Sequence, residues 1–103
     1  MNKYRHLQEP QATLDFHDEG VLDSAAVKRR TEAFIADCRR RGLERVRLIT
    51  GKGRHSKGRP VVGPQVRRTL KALEAKGVIV SFGDAKVTEG GAGAVDVVLA
   101  VRR

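Results

Sequence analysis

A twelve-residue stretch, ITGKGRHSKGRP, runs from position 49 to 60 between a β-rich apolar run that stops at Thr50 and a helical pattern that opens at Pro64. Gly51 and Gly53 flank Lys52, and glycine on both sides lets backbone amides approach an anion closely. Lys52, Arg54, Lys57 and Arg59 supply the positive charge that neutralises phosphates. His55 is suited to proton transfer beside a bound phosphate, and Ser56 to binding a phosphate or capping the loop. The stretch is neither a phosphate-binding GxxxxGK[ST] loop nor a dinucleotide fingerprint. A GxG by itself is a weak signal, and a solvated surface loop is the plain alternative.

A second pair of residues stands upstream. Residues 13–17, TLDFH, alternate apolar Leu14 and Phe16 with Asp15 and His17, the pattern of a half-buried strand. Positions i and i+2 of a strand share a face, so the Asp15 carboxylate can orient the His17 imidazole for general acid–base work. A surface Asp and His without a role is the competing reading. Asp15, His17, Asp18 and Glu19 cluster in sequence, but no second carboxylate pair faces them, so a two-metal centre is not expected. No other cofactor is implied. Cys38 lies on an apolar helical stripe and reads as core.

These residues need elements to position them. Residues 1–12 are polar and aperiodic and read as a flexible arm, leaving 13–103 as one domain. A helix is expected from about Ser24 with Asp23 as its N-cap. Its apolar stripe is Val27, Thr31, Phe34 and Cys38, and Gly42 follows a basic last turn. Residues 45–50 form a second strand. Pro64 opens a second helix with Val66, Leu70 and Leu73 on its apolar face, ended by Gly77. Residues 78–82 and 95–101 are further strands, separated by the turn-rich 84–94. The order β-α-β-α-β-β predicts an α/β two-layer sandwich, a four-stranded mixed sheet with two helices on one face. Right-handed crossovers make the first three strands parallel, and the short last connection makes the fourth antiparallel to its neighbour. If the first two strands are adjacent, His17 comes close to Thr50 and Gly51 at the sheet edge where open α/β sheets bind ligands.

Composition narrows the partner. The 103 residues carry 21 Lys/Arg against 12 Asp/Glu, a formal net charge of +9 that favours a polyanion, nucleic acid before anionic membrane. Aromatic residues are 4% with no Trp, and Phe16, Phe34 and Phe82 sit in apolar patterns, so backbone recognition is favoured over base stacking. Arg67, Arg68 and Lys71 form a basic cluster on the second helix, and Arg29 and Arg30 another on the first. No segment has the length of a membrane span or the apolar core of a secretory signal, and the single Cys suits a reducing cytoplasm. A cytoplasmic monomer that does not associate with membrane is expected.

LDFH on a first strand, LITGKGRHSKG after a second, and EGGAGAVDVVL before the last together resemble a small MutS-related (Smr) domain of the TGxGxHS type, over about residues 13–102. The resemblance implies a fold similar to the C-terminal domain of the third translation initiation factor, and nucleic-acid binding with endonuclease activity on DNA or RNA. It maps Asp15 and His17 onto the family's LDLH pair, and Thr50, Gly51, Lys52 and Gly53 onto TGxG. Asp18 stands where the family often has glycine. Thr50 replaces the histidine of the commoner HGxG form, so a mechanism that uses that histidine requires His55 in its place.

The expected activity is phosphodiester cleavage, in RNA and without metal. Asp15, His17, Lys52 and His55 carry the catalysis. Thr50, Gly51, Gly53, Arg54, Ser56, Lys57, Arg59, Arg67, Arg68 and Lys71 bind nucleic acid. The alternatives are a metal-dependent DNA nicking enzyme acting on branched or structured DNA, and a non-catalytic module docking on nucleic acid or the ribosome.

Overall fold

The computed structural model describes residues 9–16, 22–51, 61–85 and 93–100. Their elements are β1 (Ala12–Asp15), α1 (Ser24–Arg40), β2 (Arg45–Ile49), α2 (Val62–Ala75), β3 (Ile79–Asp84) and β4 (Ala94–Leu99). They form one four-stranded sheet in the order β1-β2-β4-β3. β1 runs parallel to β2, while β4 is antiparallel to both β2 and β3, so the first three strands point the same way with β4 inserted between the second and third. The two helices pack against each other over one face of the sheet. This is the mixed two-layer architecture that the element order predicts.

Alternation along the strands sorts the sheet into a dry and a wet face. Val46 lies opposite Val97 and Leu48 opposite Val95, and all four are fully buried beneath the helices. Val27, Ile35 and Cys38 of α1 and Val66, Leu70 and Leu73 of α2 close the core from the other side. In α1 the stripe takes Ile35 rather than Phe34 as its innermost residue, and Phe34, like Phe82, is half-buried against the cluster. Thr31 joins the stripe without cost because its hydroxyl donates to the Val27 carbonyl at 2.9 Å.

Asp23 caps α1 as expected, its Oδ1 accepting from the Ala26 amide at 2.8 Å. Both helices end in the same way. Leu43 N donates to Cys38 O and Gly42 N to Arg39 O, each at 3.0 Å, and Val78 N to Leu73 O at 2.9 Å and Gly77 N to Glu74 O at 3.0 Å repeat the pattern. This doubled bond needs a left-handed residue, and Gly42 and Gly77 both sit at φ +78°.

β1 stops at Asp15, β2 at Ile49, and β4 runs Ala94–Leu99, each shorter than or offset from the sequence expectation, and three further differences have a visible cause. β1 begins at Ala12, because Gln11 is already docked: its amide donates to Arg45 O at 2.7 Å and its Oε1 accepts from the Glu44 and Arg45 amides at 2.7 and 2.9 Å. α2 begins at Val62, two residues before Pro64; proline fits inside the first turn because no amide hydrogen is needed there. β3 is shifted to Ile79–Asp84, with an irregularity between Ile79 and Ser81 that breaks the alternation and leaves Val80 58% exposed.

Gly77→Ala is expected to lower unfolding free energy by about 1 kcal/mol through left-handed strain alone, since nothing lies within 4 Å of a Cβ there. Gly83→Ala, in equally open space without positive φ, should stay within about 0.5 kcal/mol of wild type in the same urea titration.

The Cys38 thiol is fully buried, and burial pushes its pKa up, with the Arg41 charge pulling down and Asp37 adding to the rise. The folded chain therefore keeps this proton to higher pH than the unfolded chain. Its contribution to stability is present below the unfolded-state value of about 8.5 and is lost as pH climbs from there through the folded-state value. Alkylation of native protein should proceed only as fast as unfolding. Cys38→Ala should show a shallower alkaline loss of stability than wild type.

Candidate functional site

The parallel pairing of β1 with β2 sets the geometry. Asp15 stands opposite Ile49, so the two strands finish level with each other at one edge of the sheet. The chain continues from Asp15 through Phe16 toward His17, and from Ile49 through Thr50 and Gly51 toward Lys52. His17, Lys52, Gly53, Arg54, His55, Ser56, Lys57 and Arg59 lie outside the described residues. The described residues are thus the frame from which both chemically suggestive segments depart.

Within that frame Thr50 and Gly51 are tightly held. The carbonyl of Gly93 accepts from the Thr50 amide at 2.8 Å, the Gly51 amide at 3.1 Å and the Thr50 hydroxyl at 3.3 Å. One carbonyl in the glycine-rich approach to β4 therefore ties down the exit of β2. The single Thr50 hydroxyl proton is shared between Gly93 O and Gly51 O, the latter at 3.2 Å, and Thr50 is only 6% exposed. Its side chain is turned inward, where it holds the turn. Gly51 adopts φ +80°, which an L-residue side chain resists. At this edge the backbone reverses on a glycine because only glycine enters that region cheaply.

The start of α2 closes against the same turn. A Cβ at Gly63 would come within 3.8 Å of Thr50 Oγ1 and 3.2 Å of an Arg67 guanidinium nitrogen. The N-cap residue Val61 offers no side-chain bond to the first turn, so the amides of Val62 and Gly63 begin the helix without a side-chain cap. An N-terminus of this kind carries partial positive charge and favours phosphate.

Asp15 and Thr50 leave the frame differently. Leu14 and Phe16 pack into the core, so alternation turns Asp15 to the helix-free face, while Thr50 faces the helix layer. On that helix-free face lies a pair that the sequence did not single out. Arg47 grips Asp96 with two bonds, Nε to Oδ1 at 2.6 Å and Nη2 to Oδ2 at 3.2 Å, with the side chains 13% and 29% exposed. Only strand register brings these residues together, and nothing in their local sequence marks them. Arg67 contacts Asp84 at the end of β3 and donates to Gly63 O at 3.4 Å, which fastens α2 to the sheet edge. It thus has structural work beyond any contact with nucleic acid. Arg68 and Lys71 are exposed on α2, Arg68 donating to Gln65 Oε1 at 2.9 Å. Among the described residues no three His, Cys, Asp or Glu side chains gather as metal ligands.

The family model for the Smr domain matches residues 8–100. The chain belongs to the Smr family. Smr domains are nucleic-acid-binding, nuclease-associated modules, and two solved structures agree with the placement. The Smr domain of Thermus thermophilus MutS2 superposes with a TM-score of 0.62 at 28% identity, covering 84% of this chain and 92% of that one. YdaL, a stand-alone small MutS-related protein from Escherichia coli, superposes at 0.69 and 29% identity, covering 87% of this chain and 66% of that one. An uncharacterized protein of Treponema pallidum is 41% identical over 63 residues, which is 61% of this chain and 30% of the relative's length. In this Smr domain no helix of the described residues is long and apolar enough to cross a membrane.

Thr50→Val keeps the shape of the side chain and removes the hydroxyl, and it should cost about 1 kcal/mol in unfolding free energy. Thr50→Ser, which retains the bond to Gly93, should recover much of that loss in the same assay.

Proposed function

We propose that this Smr domain is an endoribonuclease that cuts the RNA backbone without a metal ion, using His17 and His55 for proton transfer and Lys52 for charge stabilisation. The observation that carries this reading is the parallel register of β1 and β2, with Asp15 opposite Ile49. It sends the chain toward His17 and toward the Lys52–Arg59 stretch from neighbouring strands at one edge, beside the side-chain-uncapped start of α2. The Gly51 amide is already engaged by Gly93 O, so a phosphate at that edge would meet the Gly53 amide, the helix N-terminus and four cationic side chains.

The chemistry suits RNA because the nucleophile is already in the substrate. One imidazole takes the proton of the 2′-OH as its oxygen attacks phosphorus. The bond from phosphorus to the 5′ oxygen breaks, and the other imidazole protonates that leaving oxygen. The products are a 2′,3′-cyclic phosphate and a free 5′-OH. Asp15 orients and charges His17. Lys52 and the Gly53 amide stabilise the negative charge that grows on the phosphoryl oxygens, an electrostatic contribution that is often the largest in such sites. The stretch from Lys52 to Arg59 carries four Lys/Arg and a His and no carboxylate, which favours this route over one built on paired metal ions.

The test is cleavage of end-labelled structured RNA and of the matching DNA in EDTA, with wild type beside His17→Ala. RNA cut by wild type alone, leaving a 2′,3′-cyclic end, is expected, with His17→Ala reduced by at least about 10²-fold. The pH dependence of kcat/KM should be bell-shaped around neutrality, because one imidazole must start neutral and the other protonated. DNA nicking that requires added magnesium or manganese, with RNA left whole, would replace this reading by a metal-assisted nickase. Binding without cleavage of either polymer under both conditions would leave a docking module.

A further inference from the structure

The two broad faces of the domain differ in charge. On the helix-free face of the sheet Arg47 is neutralised by its two-point contact with Asp96, and among the described residues the other charged ones there, Arg45 and Asp15, are one of each sign and half-buried. Around them lie Ile49, Val98 and exposed Val80. This face offers a polyanion little.

The helix layer is different, and its charges run against the grain of the helices. A helix prefers acidic residues near its start and basic ones near its end. Neither α1 nor α2 has an acidic residue in its first turn, and α2 has no basic residue in its last. The cations of α2, Arg67, Arg68 and Lys71, come before Glu74, its one carboxylate. In α1 the run Lys28, Arg29, Arg30 falls in the first half. The basic residues at the end of α1 follow the dipole and have structural partners: Arg40 and Arg41 contact Asp37, and Arg39 donates to Ala100 O at 3.2 Å.

Helical phase turns several of these cations outward. With Val27, Thr31, Ile35 and Cys38 facing the core, Arg29 lies on the opposite side of α1 and Lys28 on its flank. With Val62, Val66, Thr69, Leu70 and Leu73 inward, Arg68 and Lys71 point away on α2. All four are exposed, and among the described residues Lys28, Arg29 and Lys71 pair with no carboxylate. Arg68 is held by the neutral Gln65 amide, which orients its guanidinium and leaves the charge intact. Both helices start at the sheet edge where β1 and β2 end, so Lys28, Arg29 and Arg68 lie toward that end of the helix layer, with Lys71 about one turn further along α2.

We propose that the outer surface of the helix layer, at the end next to the β1–β2 edge, is the track along which the nucleic-acid backbone lies, with Lys28 and Arg29 of α1 and Arg68 and Lys71 of α2 contacting successive phosphates. The proposal rests on the nucleic-acid reading above and adds which face the strand crosses.

The test is the salt dependence of binding to an RNA hairpin in EDTA, read by fluorescence anisotropy between about 50 and 300 mM KCl. It compares wild type, a variant carrying Lys28→Gln, Arg29→Gln, Arg68→Gln and Lys71→Gln, and the sheet-face variant Arg45→Gln. Each phosphate that is no longer neutralised takes about 0.7 to 0.9 from the slope of log K against log salt, so the helix-face variant should flatten the slope by about 2 to 4 and bind at least about tenfold more weakly at low salt. It should melt close to wild type, since all four side chains are exposed, and Arg45→Gln should bind like wild type. A helix-face variant with the wild-type slope, or an Arg45→Gln variant weakened as much, overturns the track and leaves the nucleic-acid reading standing. Failure of wild type itself to bind the hairpin overturns both.

Discussion

The pairing of β2 with β4 is the constraint on which the rest of the structure hangs. On its dry side Val46 meets Val97 and Leu48 meets Val95, all without solvent exposure. On its other side Arg47 meets Asp96. A slip of one residue would carry a guanidinium or a carboxylate into the core and bring valines out to water. Hydrophobic burial and the ion pair therefore specify the same register from opposite faces. With that register set, Gly93 lands beside Thr50 and its carbonyl gathers three donors from the end of β2. The backbone at the site is thereby fixed by the core.

β1 depends on this central pair. It is an edge strand of four residues, held by its parallel ladder to β2 and by Gln11, whose side chain and backbone bond to the entrance of β2. Because the ladder is parallel, both strands end at the same edge. An antiparallel pairing would have sent the chain toward His17 away from the glycine loop. The chemistry suggested by two separate motifs thus becomes one site only through the direction of a strand.

Charge is distributed with the same division of labour. Arg67 with Asp84, Arg47 with Asp96, and Arg40 and Arg41 with Asp37 fasten elements together or finish a helix. Lys28 and Arg29 of α1 and Lys71 of α2 are exposed and pair with no carboxylate among the described residues, and Arg68 is held by the neutral Gln65 amide. A net charge of +9 is accordingly a mixture, in which part of the Lys/Arg complement holds the fold and part faces outward.

By itself the sequence determined the elements, their order and the dry faces, because those follow from local signals: strand alternation, the spacing of Val27, Thr31 and Cys38, the Asp23 cap, and glycines at helix ends. It also placed His17 near Thr50 and Gly51 on condition that the first two strands are adjacent; β1 and β2 do pair, and His17 itself lies outside the described residues. It did not indicate that β4 would insert between β2 and β3, that Val80 would bulge outward, or that α2 would begin ahead of Pro64. Those depend on how sheet and helices compete for the same core. The tertiary structure alone decided that Thr50 turns inward to Gly93 and that Arg67 bonds to Asp84. It alone brought Arg47 to Asp96, nearly fifty residues away. Contacts between residues so distant in the chain leave no periodic trace in the sequence, because strand register and packing create them.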